Sequence, residues 1–198
     1  MHLPILMRRS LPTIIALLGP IFVGQAANWN ESIDGDLSGN NLAPTNLTFD
    51  LGVNIVSGTM GGDPGESIPL DRDIFTFTLA PGQYLTSINF LTFSPVGASF
   101  YAIAPGTSIS LTDPAGHLST VLISSTGEYL DDLDLGAYSS GTGLTAPLAP
   151  STYTIWFQEL ASVVTYSTAY TVVPEPSTWL AVVGGVGMLL AIRKRRRA

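Results

Sequence analysis

The sequence predicts an all-β body, an antiparallel β-sandwich of jelly-roll-like build, between an N-terminal signal helix and a single C-terminal transmembrane helix. Three observations lead there. Short runs of alternating apolar and polar residues recur along residues 27–172, separated by turn residues. The chain holds 20 Gly and 14 Pro among 198 residues, about a sixth of its length, which suits strands and turns better than long helices. The charges are segregated by region. Of the 15 acidic residues only Glu175 lies outside 27–173, and Arg72 is the one Lys or Arg inside that span.

The chain begins as an export signal. Arg8 and Arg9 form a basic start, "LPTIIALLGPIFVG" is an apolar stretch, and "GQAAN" places Gly24 and Ala26 at the −3 and −1 positions of a cleavage site after Ala26. A buried N-terminal helix is the competing reading, but Pro12 and Pro20 would each interrupt it. Residues 1–26 are therefore expected to engage the export machinery and signal peptidase.

The body follows as strands. In "DIFTFTLAPG", Phe75, Phe77 and Leu79 share one face and Thr76 and Thr78 the other, and Pro81-Gly82 ends the strand. Further strands are expected at 84–93, 98–104, 108–113, 119–125, 152–160 and 163–173, with 46–58 forming one strand or two. Segment 84–93 alternates loosely enough to be buried on both faces. "GEYLDDLDLGAY" reads as a solvated acidic loop. No stretch of 27–173 is both long and helix-periodic. Most aromatic residues of the body are expected in the core or on sheet faces.

Composition limits the chemistry. There is no Cys, hence no disulfide, thiol nucleophile or Cys-ligated zinc. His2 leaves with the signal, so a Ser-His-Asp triad would have to use His117, with Asp113 to orient it. That histidine lies in a turn-rich stretch expected to be exposed, where histidines are usually inert. Paired carboxylates for glycoside hydrolysis have no spacing that selects them. The acidic body repels nucleic acid and suits cations.

Among possible sites, calcium is the better candidate. In "DGDLSGNN", Asp34, Asp36 and Ser38 occupy positions 1, 3 and 5 of a calcium loop and Gly39 position 6, where a sharp turn is needed. Position 12 is Thr45 rather than Glu, and Glu31 could contribute from upstream. Asp71 and Asp73, just before the aromatic strand, make a second acidic pair. The competing reading is an acidic turn held by its own Asx hydrogen bonds.

The C-terminus differs from the body. Residues 177–192 carry no charge and would span about 24 Å as a helix, short of the ~20 residues usual for a bilayer. Snorkelling of the flanking basic residues could absorb the difference. Arg193, Lys194, Arg195, Arg196 and Arg197 then lie on the cytoplasmic side, so the helix would hold the chain in the inner membrane with the body outside the cytoplasm. Gly184, Gly185 and Gly187 offer a small-residue face for another membrane helix. Pro174, Glu175 and Pro176 cannot join a helix or a central strand and would stay extended beside the membrane.

This order of Pro-Glu-Pro, short apolar stretch and basic end, with Ser177 and Trp179 following the motif, resembles the PEP-CTERM sorting signal of Gram-negative bacteria. The resemblance covers 173–198. It implies processing near Pro174–Glu175–Pro176 by an exosortase, a membrane Cys peptidase-transferase, and release or transfer of the body to the cell surface or matrix, where this family is associated with exopolysaccharide and biofilm. The body is similar, less specifically, to the bacterial pre-peptidase C-terminal domain. "DRDIFTFTLAPGQYL" and "STYTIWF" carry that likeness, with Ser151 where Gly is usual. It implies a non-catalytic sandwich, in some relatives with calcium joining an N-terminal acidic segment to the Asp-x-Asp pair. The resulting expectation is an exported, non-enzymatic surface protein. Two alternatives stay open: a permanently anchored carbohydrate- or calcium-dependent binding module in which Pro-Glu-Pro is a spacer, and a secreted hydrolase.

Overall fold

The computed structural model describes residues 27–62, 70–95, 97–135 and 143–175. Two five-stranded sheets pack face to face. One has the order β1 (Asn28–Asn30), β3 (Gly52–Gly61), β10 (Val163–Pro174), β5 (Gln83–Ser94), β8 (Gly127–Glu128). The other runs β2 (Thr45–Leu47), β4 (Arg72–Thr78), β9 (Thr152–Gln158), β6 (Ser99–Pro105), β7 (Ser119–Ile123). From β3 to β6 successive strands alternate between the two sheets, and the last long strands, β9 and β10, insert between the earlier ones.

The pairing is antiparallel except at one edge of each sheet, where β1 runs parallel to β3 and β2 parallel to β4. This departs from the wholly antiparallel expectation. Each of these strands is three residues long, added beside a strand that is already paired on its other side.

Period-two alternation sets the core. Phe75, Phe77 and Leu79 from β4 and its end meet Val56, Met60, Ile88, Phe90, Tyr170 and Val172 of the facing sheet. The Phe49 and Phe77 rings stack with centroids 4.6 Å apart, and Phe157 meets Tyr166 edge-on at 4.9 Å. The Tyr101 and Tyr170 hydroxyls hydrogen-bond to each other at 3.1 Å inside this core, so neither polar tip is stranded.

Several expectations are refined. Segment 46–58 is two strands, β2 and β3. Segment 84–93 is buried on one face only. Its weak alternation comes from Leu91 and Thr86, extra residues at two register shifts against β10 that reset which face follows. Segment 108–113 is not a strand. It is a loop whose Ile109 is buried beside Trp156 and Ile74 on the outer face of the β4 sheet, pinned through Asn41 Nδ2, which donates to the Ile109 carbonyl at 2.7 Å. The acidic run after Gly127 is not a plain loop either. It forms α2 (Leu130–Leu135), because Glu128 accepts from Leu130 N and Asp131 N while Leu130 and Leu133 are buried.

No helix among the described residues is long and apolar enough to cross a membrane. The predicted signal segment, the predicted span 177–192, Pro176 and the basic tail Arg193–Arg197 lie outside the described residues.

Candidate metal centre

One end of the sandwich gathers carboxylates. After β1 the chain turns through α1 (Glu31–Asp34), a single turn capped by Asn30, whose side chain accepts from Ser32 N. Leu37, 1 % exposed, then plugs the core. These two anchors fix where the residues between them point. Glu31 reaches back over β3. Its Oε2 accepts from Thr59 N at 2.7 Å and its Oε1 from Leu37 N at 3.0 Å. The close approach requires glycine at 58, where a Cβ would stand 2.1 Å from Glu31 Oε2.

Asp73 enters from the facing sheet. It is on the face of β4 that carries Phe75 and Phe77, so alternation turns its carboxylate inward. It is fully buried, and neither oxygen makes a close hydrogen bond among the described residues, although the Tyr166 hydroxyl is near enough to interact with it. Glu31, Asp36 and Asp73 each offer an oxygen, and these oxygens lie within 4.8 Å of one another. Asp71 stands close enough to Asp73 and Glu31 to act on both electrostatically.

Three carboxylates held this close, one of them dry, strongly disfavour full ionisation. Burial, reinforced by the charge of Glu31 and, less, of Asp71 and Asp36, pushes the Asp73 carboxyl up to about 9, although the Tyr166 hydroxyl partly opposes this. Glu31 is also raised, by burial first, with its two backbone N–H partners pulling the other way. Asp71 is raised by burial and by Asp36. Burial and the neighbouring Asp73 push the Tyr166 hydroxyl well up, so it stays a neutral phenol. Arg72, the only Lys or Arg among the described residues, turns to the opposite face of β4 and donates to Gln158. Among the described residues, no Lys or Arg is therefore placed to neutralise the cluster from within.

The donor set decides which cation fits. It is all oxygen, with carboxylates from two separate segments and a phenol beside them, and among the described residues it has no His or Cys. That is the set of a hard divalent ion such as calcium rather than zinc or copper.

Of the residues the sequence singled out, Asp36 and Asp73 are brought together with Glu31, and Asp71 lies near enough to act on Asp73 and Glu31 electrostatically. Asp34 and Ser38 are used elsewhere. Asp34 Oδ2 accepts from Asn30 N at 2.8 Å, and Ser38 Oγ donates to the Ala43 carbonyl at 2.8 Å. Asp36 groups with Glu31 and Asp73 instead of with Asp34 and Ser38. Tyr166 was missed; its place on the inward face of β10, across from Asp73, depends on sheet order.

His117, expected on an exposed turn, is 2 % exposed. Its Nε2 meets the Ser110 carbonyl at 2.7 Å and its ring lies edge-on to Trp156, because the 106–118 loop folds down onto the sheet. Asp113 caps the following 3₁₀ turn by accepting from Ala115 N at 2.9 Å.

Beside the carboxylates the outer face of the β3–β10–β5 sheet carries a groove of about 590 Å³, to which Glu31, Asp36 and Tyr166 contribute. In comparisons with known proteins, no family model matches the chain, and no curated protein or solved structure is significantly similar to it.

Proposed function

We propose that this chain is an exported, non-enzymatic surface or matrix protein whose sandwich is fastened by one calcium ion at Glu31, Asp36 and Asp73, with Asp71 in support. The observation that carries the calcium reading is Asp73: a fully buried carboxylate that makes no close hydrogen bond among the described residues and faces two more carboxylates. Leaving such a group unpaired costs several kcal/mol, and a divalent cation removes that cost by replacing lost hydration with direct coordination. The ion would tie the α1 segment to β4, linking the two sheets at one end. The experiment is thermal unfolding of the exported protein in calcium and in chelator. A rise in Tm with calcium that Asp73→Asn abolishes supports the site, and identical curves in both buffers reject it.

The nested strand order supports a jelly-roll-like build, which would suit a binding module. His117, the one histidine among the described residues, is packed under a loop with its Nε2 on the Ser110 carbonyl, which supports a reading without a Ser-His-Asp triad.

The sorting reading rests on the order of Pro174–Glu175–Pro176, apolar stretch and basic tail. It gains support from the exposure of the motif. Pro174, expected outside any central strand, is instead the last residue of β10 and pairs with Gln83 at the start of β5; it and Glu175 are exposed, and Glu175 N donates to the Gly82 carbonyl at 2.7 Å. A peptidase acting there would meet exposed chain at the margin of the sandwich. Intact mass of the exported protein, from hosts with and without the exosortase, tests this. A product beginning at Ala27 and ending near the motif only when the enzyme is present supports it. A product retaining Arg193–Arg197 in both hosts overturns it and leaves a permanently anchored module.

A further inference from the structure

We propose that Tyr166 is a positioning residue of the cation site: its hydroxyl donates to one oxygen of Asp73, so that only the other oxygen is presented to the ion. This rests on the calcium reading above and adds a residue to it.

Strand register places the phenol. Tyr166 on β10 is the direct partner of Gly58 on β3, and partners in register share a face of the sheet. The Glu31 carboxylate fills the space where a side chain at 58 would stand, so it lies beside Tyr166 on the inner face. In the facing sheet, Asp73 on β4 is the direct partner of Phe157 on β9, and the Phe157 ring meets the Tyr166 ring edge-on at 4.9 Å. Two independent pairings, one in each sheet, thus bring the phenol next to both inner carboxylates. The Tyr166 hydroxyl and both Asp73 oxygens are buried, and none of the three makes a close hydrogen bond among the described residues. The hydroxyl is near enough to act on Asp73 as a donor.

The chemistry of the site asks for such a donor. An ionised carboxylate accepts at both oxygens, and an ion bound through one of them leaves the other bare in a dry place. A Lys or Arg there would compete with the ion for Asp73. A phenol stabilises the second oxygen without adding charge. Glu31 is held in a comparable way, because its two oxygens accept from Thr59 N and Leu37 N. Backbone donors orient one inner carboxylate and the phenol orients the other. The Asp73 Cβ–Cγ torsion is soft, so without the hydroxyl the carboxylate is free to turn and offer both oxygens to the ion. Outer partners of this kind are worth roughly ten- to hundredfold in metal affinity.

Tyr166→Phe removes the hydroxyl and keeps a ring against Phe157. Two measurements on the full-length chain in detergent test its role: calcium titration followed by Tm, and the calcium-minus-chelator infrared difference spectrum. In that spectrum the asymmetric and symmetric carboxylate stretches lie far apart for coordination through one oxygen and closer together for coordination through two. The expected result is an affinity about tenfold or more lower in Tyr166→Phe, with a closely spaced carboxylate pair that the wild type lacks. Tyr170→Phe is the control. It removes a hydroxyl from the same inward face of β10, one that pairs with Tyr101 at 3.1 Å. It should lower Tm in chelator and leave calcium affinity within about twofold. If Tyr166→Phe leaves either the affinity or the spectrum unchanged, the positioning proposal fails and the calcium site stands. Equal weakening by the two variants also overturns it, because loosening of the core would then suffice. If calcium changes neither Tm nor the spectrum of the wild type, the calcium reading itself fails and the proposal falls with it.

Discussion

Glu31 lies directly against Gly58: a Cβ at position 58 would stand 2.1 Å from Glu31 Oε2 and 2.3 Å from its Cδ. One residue without a side chain thus permits a carboxylate from another segment to reach its place. Gly58→Ala is expected to push Glu31 off Thr59 N and Leu37 N. Because the clashing atoms end a flexible side chain, the fold should adjust at a cost of about 1–2 kcal/mol, the worth of the charge-assisted hydrogen bonds lost. Calcium affinity should fall about tenfold or more although every carboxylate is still present. Calcium titration followed by Tm measures both effects, and unchanged affinity would show that Glu31 is not a ligand.

The pH dependence of stability should weaken with calcium. Without metal, the folded state keeps the Asp73 carboxyl protonated up to about 9, against an ordinary value of 3.8. Between those limits the folded state binds the extra proton, so stability falls as pH rises, by at most ~1.4 kcal/mol per unit for one group. Glu31 and Asp71, also raised, steepen the fall at its acid end. Calcium binds the ionised form, so its stabilising effect should grow with pH. Melting curves from pH 5 to pH 8 in chelator should therefore show declining Tm, and the decline should shrink in calcium. Asp73→Asn, a neutral near-isostere, should raise Tm in chelator at pH 8 and abolish the calcium effect. A flat profile for the wild type in chelator would contradict the buried, unpaired carboxyl.

Asp34 and Asp36, two residues apart in "DGDLSGNN", should behave differently. Asp36→Asn is expected to weaken calcium binding about tenfold or more. Asp34→Asn should leave calcium binding within about twofold and cost only the ~1 kcal/mol of its hydrogen bond to Asn30 N. Calcium titrations of the two variants separate a site built from distant segments from a linear calcium loop, in which both would be impaired.

Local chemistry explains why part of this site was legible. The alternation that places Phe75, Phe77 and Leu79 on one face also places Asp73 there, so an inward carboxylate was readable from "DRDIFTFTLAP" by counting back two residues. The strands that carry the core were visible for the same reason. Tyr166 and the placing of Glu31 over Gly58 were not, because they depend on β10 lying beside β3 and on β1 adding in parallel, and both are long-range pairings. The Leu37 plug was hidden by an acidic, Gly-rich context that reads as exposed. Ile109 and His117 misled in the opposite direction: their segment looks like a strand followed by an exposed turn, yet it is a loop buried by the outer face it covers.

Asn54 should be the costliest single polar residue to remove. It is fully buried, and all its polar atoms are engaged. Oδ1 accepts from Ala27 N at 3.2 Å and Asp50 N at 2.8 Å, while Nδ2 donates to the Asp50 carbonyl at 2.8 Å and the Tyr170 carbonyl at 3.3 Å. One side chain thereby ties the start of β1 and the turn before β3 to the central strand β10. Asn54→Ala strands these partners in a dry environment, and a loss of about 2–4 kcal/mol is expected. Asn54→Asp should be no better, since it removes both donors and buries a charge. Processing after Ala26 would turn Ala27 N into an ammonium facing the same Oδ1, a stronger charge-assisted bond than an amide makes. The mature protein should therefore lose more than the unprocessed chain when Asn54 is replaced. Denaturant unfolding of both forms, with and without Asn54→Ala, measures the difference, and equal losses would remove Ala27 from this network.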